Sequence, residues 1–384
     1  MSTILYMRCI DEVPVSELKG KRVLVRCDFN LPLNAAGEVA DVFRLKRGWQ
    51  TIQYLSSHGA RTIIISHIGR DPEESIEPVA KAMKKLGSVV FIADLVGTPA
   101  RGAAASMRDG EILFLENVRR DPRETKNDES FAKELASLAD IYIDDAFAAA
   151  HREHASIVGI PKFLPSYAGL LMRDEVREID KARNPASPSF AILGGAKFET
   201  KAPLIKALLN MYDHLFITGA LANDVLKAQG FPVGRSRISA ELPSSEVLKS
   251  KGLVSTIDVT AERSDKQAHT KHPQDVDADD KIVDMGPDTF ALITPLLEEA
   301  KFILCNGPSG LYEDGYTTWT HAIAELLQKR VADGASVVIG GGDTIAAIQE
   351  SGVSEDKLGF LSTGGGAMLE YLLKGTLPGI EVLG

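Results

Sequence analysis

Cysteine is scarce in this 384-residue sequence: Cys9, Cys27 and Cys305 form an odd and scattered set. Their spacing matches neither a disulfide framework nor a zinc site, and such usage is expected of a reducing cytosol. Long apolar runs are missing as well, none approaching the ~20 residues that a membrane helix requires. The opening MSTILYMRCIDEVPV carries Arg8, Asp11 and Glu12 where a secretory signal needs an unbroken apolar core, so a cytoplasmic protein without membrane contact is expected. Positive charge is in deficit, with 43 Lys and Arg against 53 Asp and Glu and a net charge of −10, which argues against a nucleic-acid partner. Any bound anion must then be held by a local basic cluster. Low-complexity tracts and coiled-coil heptads are absent too.

What is present is an alternation of short apolar runs with amphipathic helical stretches. At about 150 residues per domain, the length suggests two domains. The first half offers the strands RVLVRC, RTIIIS, SVVFIA, EILFLE and DIYIDD; the second offers FAILGG, HLFITG, LVSTIDV, KFILCNG, SVVIGG and GFLST. Helical stretches such as RLKRGWQTIQYLSSHG and DESFAKELASLAD lie between them, which argues for βαβ units and parallel sheets. Eleven strands are many for one open sheet. The expected fold is therefore α/β, with two doubly wound parallel-sheet (Rossmann-like) lobes joined by a hinge helix. The first lobe would span residues 1–167. AGLLMRDEVREIDKARN and PASPS would form a hinge helix and linker over 168–187, and the second lobe would span 188–369. The polar stretch TAERSDKQAHTKHPQDVDADDKIVDMGPDT is expected to be an exposed loop.

Four apolar runs of the first half end in polar residues. RVLVRC leads to Asp28 and Asn30, TIIIS to His67 and Arg70, ILFL to Glu116, Asn117 and Arg119, and IYID to Asp145, His151, Arg152 and His154. Ligands of open parallel sheets bind at the carboxyl ends of the strands. Arg44, Arg70, Arg119, Arg152 and His67 converging there would hold an anion, since guanidinium forks fit phosphate and carboxylate oxygens. Asp28 would repel an anion unless it accepts from a neutral hydroxyl of that ligand, which points to a phosphorylated hydroxy acid.

The second half repeats strand, glycines, helix at AILGGAKFETKAPLI, LFITGALANDVLKAQG, FILCNGPSGLYEDG, VVIGGGDTIAAI and FLSTGGGAMLEYL. Glycine lets backbone amides approach a ligand closely, and helix starts favour anions. Lys197 and Lys201, four apart, are expected on one helix face, and Asp343 is placed to hold Mg²⁺ through oxygen. No turn carries G-x-x-x-x-G-K-[ST] or G-x-G-x-x-G, which disfavours a P-loop enzyme and a standard Rossmann dehydrogenase.

In order and spacing, VRCDFNLPL, SHIGR, LENVR, DDAFAAAHREHAS, GGAKFETK, DMGPDT, NGPSGLYE, GGGDT and STGGGAMLEYLLKGTLPG resemble the phosphoglycerate kinase family over essentially the whole chain. The resemblance implies a hinge-bending enzyme that moves a phosphoryl group between 1,3-bisphosphoglycerate and Mg-ADP, giving 3-phosphoglycerate and Mg-ATP. It implies that Asp28, Asn30, Arg44, His67, Arg70, Arg119 and Arg152 bind the phosphoglycerate, and that Asp28 accepts from its 2-hydroxyl. It implies nucleotide contacts from Gly195, Lys197, Lys201, Gly219, Asn306, Glu313 (on the ribose), Gly341, Gly342, Asp343 and Thr344, with Mg²⁺ on Asp343. Arg44 and Lys197 would neutralise the phosphoryl group in transit, and Gly364, Gly365 and Gly366 would present amides to it. The segment 370–384 would cross back onto the first lobe, and a monomer is expected.

The acceptor in the ATP-consuming direction is a carboxylate already ionised at pH 7, so positioning and charge neutralisation suffice and no general base is needed. Thr218 and Ala220 stand where the family usually has glycine, which leaves base selectivity open; Asp144, Ala148 and Ala149 also depart from its pattern. Two alternatives stay open: another small-molecule kinase in which Asp28 or His67 deprotonates a hydroxyl, and a catalytically inactive binding homologue.

Overall fold

A computed structural model of the chain describes residues 7–40 and 42–383; residues 1–6 and 384, at the ends of the expected first lobe and C-terminal return, lie outside it. The chain divides into two compact units. One comprises the residues up to Arg177 together with those from Thr376 onward, and the other comprises Glu178–Gly375. The division falls inside helix Leu170–Arg183.

The first unit holds β1 (Arg22–Cys27), β2 (Arg61–Ile65), β3 (Val90–Ile92), β4 (Ile112–Leu115), β5 (Ile141–Asp145) and β6 (Ser166–Ala168). They form one parallel sheet in the order β3-β4-β2-β1-β5-β6. Successive side chains of a strand point to opposite faces. Val23 and Val25 accordingly enter one core with Leu45, Trp49 and Ile52 of helix Val42–Ser57, while Leu24 enters another with Phe131 and Leu135 of helix Glu129–Ala136. Both faces being covered explains why these strands read as continuous apolar runs. Parallel pairing also aligns their carboxyl ends, so Arg26 stands beside Ile65 of β2 and Asp144 of β5. The segments that follow β1, β2, β4 and β5 therefore share one edge.

The second unit adds β7 (Ser189–Leu193), β8 (His214–Ile217), β9 (Leu253–Val254), β10 (Val259–Glu262), β11 (Ala268–Lys271), β12 (Lys281–Met285), β13 (Phe302–Asn306), β14 (Ser336–Gly340) and β15 (Phe360–Leu361). Six of them form a second parallel sheet, β15-β14-β13-β7-β8-β9. The remaining three form an antiparallel sheet, β11-β10-β12. This corrects the expectation of an exposed loop over residues 260–289. Its hairpin turns at Arg263–Gln267 with Lys266 at φ +66, so no glycine marks the left-handed position. Val259 and Ile282 pack with Leu226, Val233 and Val276 in a small core of their own. No helix among the described residues is long and apolar enough to cross a membrane.

Candidate active site

In the first unit, the edge formed by β1, β2, β4 and β5 gathers the charged residues named above. Asp28 follows β1 directly, and its Oδ1 lies 3.7 Å from His67 Nδ1. His67, two residues beyond β2, is buried, and its Nδ1 lies 3.1 Å from an NH2 of Arg26. Asn30 Oδ1 accepts from the Gly69 amide at 2.9 Å, and the Arg119 guanidinium donates to the Gly69 carbonyl. Arg152 lies close enough to lower the charge affinity of both Arg119 and His67. Arg44, in the first turn of helix Val42–Ser57, is half-buried and faces Asp28 electrostatically. Arg70 is exposed and makes no hydrogen bond or ion pair among the described residues, so no contact ties it to the cluster.

Burial, first of all, pushes the His67 imidazole down to about 3, and the Arg26, Arg119 and Arg152 charges add to this against the pull of Asp28. His67 is therefore neutral at physiological pH. Burial alone would raise the Asp28 carboxyl, but His67, Arg26, Arg44 and the Asn30 amide outweigh it and hold it below its usual range. Arg119 and Arg152 sit close with like charge, and burial and the Arg152 and Arg26 charges lower the Arg119 guanidinium from its ordinary value. Like charges gathered this way favour an anion between them.

Sequence reasoning missed the interior support of this edge. Arg26, fully buried within β1, donates from Nε to Ser156 Oγ at 2.9 Å and from NH1 to the Cys27 carbonyl. Glu124, also buried, accepts from Ser156 through its amide and its hydroxyl. An arginine inside an apolar run was the available signal. Glu116 and Asn117 are structural. Asn117 Nδ2 donates to the carbonyls of Ile68 and Glu74, and Glu116 accepts from the Ile76 amide and pairs with Arg120. Burial pushes the Asp144 and Asp145 carboxyls up to about 7. Asp145 Oδ1 accepts from the Leu171 and Met172 amides, capping helix Leu170–Arg183.

The second unit presents backbone where the first presents side chains. Gly194 and Gly307 touch: a Cβ on Gly307, at φ +115, would lie 2.4 Å from the Gly194 Cα. Thr344 Oγ1 accepts from the Gly307 amide at 2.7 Å, which pins this turn and leaves the hydroxyl proton available to donate. Asn306 is buried, and its Nδ2 has no hydrogen-bond partner among the described residues. It lies beside Gly341, where an added Cβ would come within 3.3 Å of it. Lys197 is exposed in extended conformation at the N-cap of helix Phe198–Met211, so the expectation that it shares a helix face with Lys201 gives way to a position just ahead of the helix. Lys201 lies across Gly195 and is half-buried, and burial pushes its ammonium down.

Asp343 stands exposed in the first turn of helix Gly342–Gln349, with the Tyr312 hydroxyl 3.5 Å from its Oδ1. Gly365, at φ +47, and Gly366 face open space at the start of helix Gly366–Lys374. Gly364 is buried, and its amide donates to Ser362 Oγ, so it is not free to serve a ligand. A cavity of about 360 Å³ is lined by Thr218, Gly219, Ala220, Met285, Leu311 and Glu313 among others. The antiparallel sheet supplies one of its walls, through Val259, Ile282, Val283 and Met285.

A family model described as "Phosphoglycerate kinase" matches residues 10–375. The "Phosphoglycerate kinase" of Moorella thermoacetica is 40% identical over 386 residues, covering 96% of this chain and 97% of the relative. The "Phosphoglycerate kinase, cytosolic" of Triticum aestivum is 40% identical over 402 residues, covering 98% of both. The solved structure of phosphoglycerate kinase from Coxiella burnetii superimposes with a TM-score of 0.83 at 33% identity, covering 98% of this chain and 99% of that one.

Proposed function

We propose a division of labour between the two units, on the premise that the chain belongs to the phosphoglycerate kinase family. It transfers a phosphoryl group between 1,3-bisphosphoglycerate and ADP, giving 3-phosphoglycerate and ATP. The first unit holds the phosphoglycerate. His67, Arg119 and Arg152 take its anionic groups, with Arg70 reaching in from the loop after β2 and Asn30 orienting the ligand. Asp28 accepts from its hydroxyl. The observation that carries this reading is the gathering of an ionised Asp28 with His67, Arg26 and Arg44 at one sheet edge. A carboxylate amid cations suits a ligand that brings both negative charge and a hydroxyl donor.

The second unit holds the nucleotide. The apolar cavity receives the base, Glu313 the ribose hydroxyls, and Gly195, Gly219, Gly341 and Gly342 offer backbone to the phosphates beside Lys197, Lys201, Asn306 and Thr344. A lone exposed carboxylate at Asp343 fits Mg²⁺, which takes one or two protein carboxylates and fills its shell with water and phosphate oxygens. When bound there, the ion would neutralise phosphate charge. The acceptor carboxylate is ionised at pH 7, so transfer is direct and in-line, and no side chain removes a proton. Arg44 and Lys197 offset charge on the group in transit, while the Gly365 and Gly366 amides orient it. Since donor and acceptor are held on different units, transfer requires the units to approach during the cycle. We take the protein to be monomeric and cytoplasmic, in keeping with its cysteine usage.

A coupled assay with 3-phosphoglycerate, Mg²⁺ and either ATP or GTP tests the reading, and absence of turnover with both nucleotides rejects it. Asp343→Ala should raise the Mg²⁺ concentration needed for half-maximal rate; an unaltered metal titration rejects the metal assignment.

A further inference from the structure

The contact between Arg26 and His67 constrains the imidazole in a way that the site roles above do not use. A guanidinium has only donors. The His67 nitrogen 3.1 Å from Arg26 NH2 must therefore be an acceptor, with its lone pair turned to the arginine and no proton of its own. Arg26 is itself fixed by Ser156 Oγ and the Cys27 carbonyl, and it is fully buried, so it has no room to release the ring. The ring nitrogen so engaged also faces Asp28 at 3.7 Å, the one neighbour that would otherwise invite a proton there.

We propose that Arg26 is a positioning residue for the phosphoglycerate site: it locks His67 as the neutral tautomer with its proton on Nε2, making the imidazole a permanent, uncharged donor to the bound anion. The groups facing the ring are Arg26 and Asp28 from the β1 end, Arg119 from beyond β4 and Arg152 from beyond β5. Three of the four are cations, so protonating the ring would add a further like charge to them. The consequence is division of tasks: the arginines supply charge, while His67 supplies direction at a pH-independent strength. Affinity for the phosphoglycerate then follows the ionisation of the ligand and not that of the imidazole. This deepens the reading that His67 binds that ligand and rests on it.

Two-bond ¹H–¹⁵N correlation spectra of the full-length wild-type protein test the lock directly, with His67→Gln used only to assign the signals. The expected pattern is a non-protonated Nδ1, a protonated Nε2 and no titration between pH 5 and 8. A proton on Nδ1, or a midpoint near 6.5, overturns the proposal. Arg26→Met provides the second arm. If it folds, His67 should begin to titrate. KM for 3-phosphoglycerate should rise about tenfold at pH 7.5, on the scale of one weakened hydrogen bond. Its pH profile should also differ from that of the wild type. The phosphate of the ligand titrates in both proteins, so the difference between profiles reports the ring. A folded Arg26→Met with an unchanged His67 tautomer and profile overturns the proposal; if it does not fold, the wild-type spectra decide. Adding 3-phosphoglycerate separates the two readings. If no His67 signal moves, its role in ligand binding fails, while the spectra still decide the tautomer.

Discussion

The two units approach phosphate chemistry from opposite directions. The first gathers guanidiniums and an imidazole at a sheet edge and supports them with a second layer of buried polar groups, Arg26, Ser156 and Glu124. The second brings few side chains and instead clears space around backbone, as where Gly307 rests on Gly194 or where Gly365 and Gly366 face open volume. A site made of charges is sensitive to charge removal. A site made of backbone is sensitive to a single added methyl group. The contrast also suits the ligands: the phosphoglycerate is small and needs each of its groups read, whereas a nucleotide brings a long phosphate chain that amides can follow.

The largest effect should come where the units share one task. Arg44→Ala should lower kcat by about 10³ or more, the range of arginines that neutralise a transferring phosphoryl group. Binding of 3-phosphoglycerate, measured by titration calorimetry, should stay within about tenfold, because several other cations remain to hold it. Lys197→Ala should give a similar loss of kcat from the other unit. If either variant keeps its kcat, the sharing is wrong and the comparison becomes one between an active and a passive site.

Glycine substitutions sharpen the second half of the contrast. A methyl at Gly307 meets backbone of Gly194 from a φ of +115. Strain and overlap together should cost about 3 kcal/mol, lowering the Tm of that unit by roughly 6–12 °C. Gly366→Ala meets nothing within 4 Å and starts a helix, so its Tm should hold. Its kcat should nonetheless fall about tenfold, the cost of one misplaced transition-state contact. Equal Tm losses in the two variants would mean that neither glycine is kept for a ligand.

How far the chain could be read in advance follows the same physical lines. Both parallel sheets were legible because burial on two faces leaves continuous apolar runs, and the strand-end polar residues stood out against them. The antiparallel β10–β12 sheet was not: its strands are short, polar on one face and joined through Lys266 where a glycine would have announced the turn. Hence the wall that this sheet gives to the cavity beside Gly219 went unseen. Arg26 was hidden inside RVLVRC, where one charge does not break an apolar pattern. The partner of Glu124, Ser156, lies 32 residues further along the chain, and only the folded chain brings them together. The engagement of Thr344 Oγ1 by the Gly307 amide and of the Gly364 amide by Ser362 Oγ also left no mark in the motifs.

The first unit should also be the acid-sensitive one. His67 and His154 are held neutral, pushed down to about 3 and about 4 by burial and surrounding arginines. An unfolded histidine takes up its proton near 6.5, so between there and about pH 4 the unfolded state binds protons that the folded state refuses. Stability contributed by these residues is present above pH 6.5 and lost as the pH falls, with a slope of at most about 1.4 kcal/mol per pH unit for each. Denaturant melts of His67→Gln should show a shallower acid slope than the wild type; an identical slope would mean the imidazole is charged in the fold.

Asp144 should act in the opposite sense and more weakly. It is fully buried, with Oδ1 on the Ala146 amide and no hydrogen-bond partner for Oδ2 among the described residues. Burial pushes its carboxyl up to about 7, with Ala146 and Arg26 opposing. Between about pH 4 and 7 the folded state therefore keeps a proton that the unfolded state has released, and stability falls as the pH rises through that window. Asn at this position keeps the acceptor for Ala146 and never ionises. Asp144→Asn should thus be neutral in its effect on Tm at pH 4 and stabilising by about 1–2 kcal/mol at pH 8, well short of the full shift because the surroundings relax around a new charge. The same Tm change at both pH values would show instead that Asp144 is already ionised in the fold and held by Arg26.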